Sequence, residues 1–221
     1  EEGNTHWVDR TYPYGGTQFG TREVHLGVEF VNARFTPVFA AAEGRVLFAG
    51  NDMAIQFGPE RDYYGNLVVL EHSFQSPDGQ PVFTLYAHLQ DIAVTEGQVL
   101  LAGQRIGRVG DSGIAVGPHL HFEVRVGDAY DYHNTRNPEL WLEPYPRFGT
   151  LAGAVTGIDN PYGVVLQVRS DTVQRETYTY GSNLVNFDPA WHENFTLGDL
   201  PAGQYEVIVN NGSGHNLFRE M

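Results

Sequence analysis

The chain has no cysteine and no lysine. Without cysteine there is no disulfide, no thiolate zinc site and no thiol nucleophile. All 13 basic residues are arginine, which excludes Schiff-base chemistry and any lysine-linked prosthetic group. No apolar run approaches the ~18 residues a membrane span needs. The opening Glu1-Glu2-Gly3-Asn4 lacks the basic and apolar regions of a signal peptide. A cytoplasmic chain or a mature or trimmed form is therefore the expectation. Positive charge is scarce: 13 arginines against 27 acidic residues leave a net charge of -14. Neutralising phosphates needs a basic face, so nucleic acid is excluded as a partner. The acidic surplus reads as a solubility feature that also repels other polyanions.

Long helices are lacking too, because few windows place apolar residues at i, i+3, i+4 and i+7. Short runs of Val, Leu, Phe and Tyr alternate with turn residues instead. Candidate strands fall at 45–49, 66–72, 82–88, 105–109 and 119–126. Residues 137–142 suit a short helical turn, and Pro144-Tyr145-Pro146 suits an extended connector. The β rhythm resumes at 150–158, 163–170, 176–180, 194–197 and 204–210. The expectation is an all-β chain of two domains, residues 1–146 and 147–221.

Three clusters carry chemistry. In His119-Leu120-His121-Phe122-Glu123-Val124-Arg125, polar and apolar residues alternate. On a strand, Leu120, Phe122 and Val124 share a core face, and the opposite face presents two imidazoles. Taken alone, this face reads equally as a polar surface in solvent. In His25-Leu26-Gly27-Val28-Glu29 a histidine and a carboxylate stand four residues apart. A His₂Glu set with an open fourth position is a recognised catalytic zinc site, although the cluster alone favours an exposed polar strand. The third, Leu85-Tyr86-Ala87-His88-Leu89, sets a histidine at the end of a strongly β run.

In order and in flanking residues, the three clusters resemble the zinc peptidases of the lysostaphin and LytM type, peptidase family M23. That family reads His-x-Gly-x-Asp, then Tyr-x-His-Leu, then Gly-x-His-Leu-His-Phe-Glu. This chain has His25-Leu26-Gly27-Val28-Glu29, Tyr86-Ala87-His88-Leu89 and Gly117-Pro118-His119-Leu120-His121-Phe122-Glu123. Supporting stretches include Phe19-Gly20-Thr21-Arg22, Ala41-Ala42-Glu43-Gly44-Arg45-Val46 and Tyr64-Gly65-Asn66-Leu67-Val68-Val69. The resemblance runs from about Phe19 to Leu142 and implies a LytM-type β-sheet sandwich. It implies His25, Glu29 and His121 as zinc ligands, with His88 and His119 activating a metal-bound water and steadying the oxyanion. It further implies an extracytoplasmic endopeptidase acting on the peptides of bacterial cell-wall peptidoglycan. Glu29 departs from the family's Asp; one extra methylene bears on affinity and rate more than on metal binding. The rival readings are a non-catalytic LytM-like module acting on another wall hydrolase, and a metal enzyme for a different peptide or amide. Degenerate modules lose ligands, whereas this chain keeps its histidines.

Other motifs carry less. Gly110-Asp111-Ser112-Gly113 mimics a serine-protease motif, but falls where the zinc family has a loop. His192-Glu193-Asn194-Phe195 starts like a zincin helix, yet its fifth position is Thr196, so a polar loop is expected. The glycine-rich stretches 44–50 and 97–107 resemble a biotinyl or lipoyl carrier, which the absent lysine excludes. His72 reads as structural; His6, His133 and His215 have no arguable partner. Leu200-Pro201-Ala202-Gly203-Gln204-Tyr205 resembles the turn of a transthyretin-like, carboxypeptidase-regulatory β-sandwich, whose role is open between spacer, wall-binding and docking module. Trp191 and the tyrosines there suit carbohydrate contact if exposed, but burial is the expectation.

Overall fold

A computed structural model describes residues 6–18, 20–157, 162–210 and 216–220. Phe19, residue 158 of the expected strand 150–158, and His215 lie outside the described residues. The first ten strands are β1 Val28–Val31, β2 Pro37–Phe39, β3 Gly44–Asn51, β4 Asn66–Gln75, β5 Pro81–Ala87, β6 Leu89–Ile92, β7 Val99–Leu100, β8 Arg105–Val109, β9 His119–Val126 and β10 Thr135–Arg136. A 3-10 turn at Pro138–Leu140 is the one helical element among the described residues. The chain is thus all-β, as its alternating pattern predicts.

One large antiparallel sheet runs β1-β9-β5-β4-β3-β7, with β10 on the free part of β9. A small sheet, β2-β8-β6, packs on one of its faces. The period-2 pattern explains the sandwich. Val28, Val68, Leu70, Val82, Tyr86, Phe122 and Val124 point toward the small sheet and meet Val38, Leu89, Ile106 and Val109 in one core. Their neighbours Leu67, Val69, Phe83, Leu85 and Ala87 point the other way and join Phe48, Phe57 and Tyr64 in a second core. The large sheet is therefore buried on both faces. This overturns the reading of the 119–125 polar face as solvent-exposed: His119, His121, Glu123 and Arg125 are all buried. Apart from His119 Nε2, their side-chain polar atoms have partners in the protein interior, as described below.

Residues from 148 onward form two more sheets: β11 Phe148–Gly153 with β14 Phe195–Pro201, and β13-β12-β15-β16 from Gln174–Tyr178, Val165–Arg169, Glu206–Asn210 and Asn216–Glu220. Leu166, Val168, Leu197 and Val207 close the core between them. Trp191 corrects the expectation of burial, being 65% exposed. Asp188 accepts from the Ala190 and Trp191 amides, and the resulting tight turn carries the indole outward. The His192-Glu193-Asn194 segment is a loop, but a buried one at Glu193 and Asn194. Glu193 accepts from the Tyr180 hydroxyl at 2.7 Å, and Asn194 bridges both backbone groups of Val155.

A polar knot joins the two sets of sheets. The Glu139 carboxylate, on the 3-10 turn, accepts from the Gly198 amide at 2.6 Å and from Arg10 at 2.5 Å. Arg10 also reaches Asp199 at 3.0 Å. Asn137 caps the turn through the Glu139 amide and donates to Thr196 at 2.6 Å. The Glu139 side chain is only 2% exposed, so Glu139→Ala leaves a buried N–H and a guanidinium short of partners. We expect a loss of about 2–4 kcal/mol, read as a lower urea midpoint at unchanged m-value.

Candidate metal centre

β1 and β9 are direct neighbours, with Glu29 opposite His121 and Val31 opposite His119. On β9's other side, Ala87 faces His121, which brings His88 to the same place. His25 lies in the loop before β1. Gly27, between His25 and Glu29, is required by close approach. A Cβ there would stand 2.7 Å from the His121 ring and 2.6 Å from the Phe122 carbonyl. The spacing His-x-Gly-x-Glu is thus a packing constraint as well as a candidate ligand pattern.

All five expected site residues converge. His25 Nε2 lies 3.2 Å from His121 Nδ1 and 3.8 Å from Glu29 Oε1. The candidate donor atoms of His25, Glu29 and His121 fall within 4.8 Å of one another. His119 Nε2 lies 3.5 Å from Glu29 Oε1, and the His88 and His119 rings are 4.8 Å apart.

The far side of each imidazole settles its tautomer. His25 Nδ1–H donates to the Tyr12 carbonyl at 2.6 Å, with the Tyr12 ring stacked on it at 4.1 Å. His121 Nε2–H donates to Glu123 Oε1 at 3.0 Å. His88 Nδ1–H donates to the Ser112 carbonyl at 2.8 Å, and His119 Nδ1–H to the Gly117 carbonyl at 2.9 Å. Each ring therefore keeps a lone pair on the nitrogen that faces the centre. His119 Nε2 is buried without a hydrogen-bond partner. Two imidazole lone pairs and a carboxylate, each histidine braced from behind, are the donor set and supporting shell that zinc takes. The residues present fit that ion.

Burial, then the neighbouring His121, pushes the His25 pKa well below the ordinary value. The same causes, with His119 added, lower His88 to about 3. Both rings are thus held neutral, as a metal ligand or a proton acceptor must be. His88 takes a left-handed backbone, φ 59°, at the junction of β5 and β6, with its amide on the Tyr64 carbonyl at 2.9 Å. Such strain is kept where the surroundings fix it. Here Ser112 does so: its carbonyl holds the His88 ring, its hydroxyl donates to Leu89 O at 2.9 Å and accepts from Asn66 N–H at 2.8 Å. The Gly-Asp-Ser-Gly motif is a brace, not a nucleophile.

Sequence reasoning missed the layer beneath. Glu123 is fully buried and also accepts from Arg125 Nε at 2.8 Å and from the Tyr64 hydroxyl. Arg125 continues to Ala129 O at 2.9 Å and to the Tyr64 oxygen at 3.0 Å. Burial raises the Glu123 carboxyl, but the Arg125 charge and the His121 and Tyr64 hydrogen bonds outweigh it and bring it to about 2. The signal was available: strand alternation places Glu123 and Arg125 on the face of His121. His72 is structural as expected, its Nδ1–H on the Glu43 carbonyl at 2.7 Å and its Nε2 at Thr84. His6 edges onto Tyr145 and His133 onto Tyr132, both away from the centre.

The arrangement is a candidate two-histidine, one-carboxylate centre flanked by His88 and His119. Residues 23–135 match the model of peptidase family M23, about half of the chain. The chain belongs to this family. It is 37% identical over 106 residues to the DD-carboxypeptidase/endopeptidase Mpg of Neisseria meningitidis, covering 48% of this chain and 21% of that protein. It is likewise 37% identical over 102 residues to the peptidoglycan DD-endopeptidase ShyA of Vibrio cholerae, covering 46% and 20%. The chain spans about a fifth of the length of these curated relatives. The solved structure of lysostaphin, an antimicrobial peptidase from Staphylococcus simulans, aligns with 97% of this chain and 87% of its own at a TM-score of 0.50 and 21% identity, a likeness of fold alone.

The buried neutral histidine and buried carboxylate give the metal-free protein a pH dependence of known sign. A depressed histidine pKa means the unfolded state binds protons first, so stability falls as pH drops below about 6.5 and on toward 3 for His88. A depressed carboxyl extends the loss from about 4.5 down toward 2 for Glu123. Urea unfolding of the metal-free protein between pH 7 and pH 4 is expected to show a falling midpoint. His88→Ala flattens that slope between pH 6.5 and 4.5; an unchanged slope would exclude His88 as a source.

Proposed function

We propose that this chain is a zinc-dependent endopeptidase of the cell envelope that cleaves peptide bonds in peptidoglycan. His25 Nε2, Glu29 and His121 Nδ1 hold the ion, and His88 and His119 act on the substrate. One observation carries the reading: the donor atoms of His25, Glu29 and His121 fall within 4.8 Å of one another, His88 and His119 stand beside them, and each imidazole is fixed from behind by a carbonyl or carboxylate. Zinc, when bound, supplies a Lewis acid for the scissile carbonyl and a water of lowered pKa.

The protein's share follows from its tautomers. His88 and His119 enter with Nε2 as acceptors, so either can take a proton from the attacking water. Only after that can the ring donate, to the tetrahedral oxyanion or to the leaving amine nitrogen. A carbonyl on Nδ1 keeps each ring pointing inward through both steps. The peptidoglycan substrate and the extracytoplasmic location are inferred from the relatives' names. Among the described residues, no helix is long and apolar enough to cross a membrane. We also read the chain as two domains, 1–146 and 147–221, the second a transthyretin-like sandwich.

The test begins with metal content. Purified protein should carry about one zinc per chain, and His121→Ala should lose it. Absence of zinc in the wild type under chelator-free conditions would sink the enzyme reading. His88→Ala and His119→Ala should keep zinc and lower turnover of purified peptidoglycan about 100- to 10,000-fold, with products identified by mass. Wild-type zinc binding without any cleavage product would favour a binding module instead.

A further inference from the structure

We propose that Tyr180 is a positioning residue for His25, so that the sheets after residue 147 help to hold a ligand of the metal centre. The proposal rests on the zinc reading above. Unlike Glu29 and His121, His25 sits on no strand. Its backbone is tied to the segment before it, through Gly15 N–H to His25 O at 2.8 Å and His25 N–H to Gly16 O at 3.0 Å. Its ring is tied to Tyr12 of the same segment. Residues 12–16 therefore form the cradle of His25, yet they belong to neither sheet of the sandwich.

What backs this cradle comes largely from the far end of the chain. Tyr14, Leu26, Tyr180 and Val185 make a core cluster of their own, separate from the sandwich cores. The Tyr14 and Tyr180 rings meet edge to face at 5.5 Å and 87°. Gly15 has φ 74°, and a Cβ on it would stand 2.5 Å from the Tyr180 Cβ, so the cradle lies directly against that residue. Leu26, the neighbour of His25, is buried in the same cluster. Tyr180 is itself fixed, its amide on Asn194 O at 2.8 Å and its hydroxyl on Glu193. The path from the later sheets to the ligand thus has three steps: Asn194 and Glu193 hold Tyr180, Tyr180 holds Tyr14 and Gly15, and these hold His25. Removing the ring leaves a void behind the cradle, and a ligand displaced by a fraction of an ångström binds its metal less well.

The experiment uses the full chain and zinc ion itself. Zinc affinity is measured by competition with a chromogenic chelator, and amide exchange over residues 12–26 is followed in the metal-free protein. Tyr180→Ala should weaken zinc binding about 10- to 100-fold and speed exchange across 12–26. Leu166→Ala, in the core of the later sheets, should lower thermal stability but leave both readouts as in wild type. Should Tyr180→Ala not fold, Tyr180→Leu keeps apolar volume and is read the same way. Affinity within twofold of wild type with unchanged exchange overturns the proposal, and so does an equal loss in Leu166→Ala. If the wild type takes no zinc, the enzyme reading fails, and the exchange data alone decide the role of Tyr180.

Discussion

The structure turns on a charge placed where charges are costly. Glu123 lies between two apolar cores, and its carboxylate is kept ionised by Arg125, Tyr64 and His121 together. Desolvating an ion costs several kcal/mol, so this pair is poor evidence for added stability. Its value lies in what one oxygen does. Oε1 accepts the His121 Nε2–H and so leaves Nδ1 bare toward His25 and Glu29. An apolar residue at 123 would lose that fixed acceptor, and Arg125 would be left buried without its counter-charge.

Strand β9 shows how one sequence period serves two ends. Its even-numbered residues Leu120, Phe122 and Val124 fasten the small sheet to the large one. Its odd-numbered residues stack in depth: His119 and His121 at the centre, Glu123 and Arg125 beneath them and fully buried. Because β1 and β5 flank β9 in register, Glu29 and His88 arrive without any loop having to reach inward. A one-residue slip would send both histidines into the apolar core, and the hydrophobic faces on each side forbid it.

Much of this was legible in the residues. The period-2 runs marked β3, β4, β5, β8 and β9, and the histidine clusters marked the centre. Strands such as β2, β7 and β10 have only two or three residues and carry no pattern long enough to read. The Glu123–Arg125 layer was misread for a physical reason: charged residues on a strand usually mean solvent, and only the tertiary structure supplies the counter-charge and the second core. The brackets around His88 and His119 are backbone carbonyls of Ser112 and Gly117, which no side-chain identity announces. The Tyr14–Tyr180 contact joins residues far apart in the chain, and no local pattern encodes it.

Glu29 is where the chain departs from its family, and the geometry gives that departure a meaning. Its backbone lies opposite His121, so the side chain must cross from β1 toward His25 in the preceding loop. Its Oε1 stands 3.5 Å from His119 Nε2 and 3.8 Å from His25 Nε2, between a candidate ligand and a candidate proton acceptor. A shorter carboxylate on the same Cα would reach less far from the strand. Under the zinc proposal the extra methylene therefore bears on two things at once, the hold on the ion and the contact with His119. Under the same proposal the cradle behind His25 matters too, since a longer, more flexible arm at 29 would leave the two braced histidines to define where the ion sits.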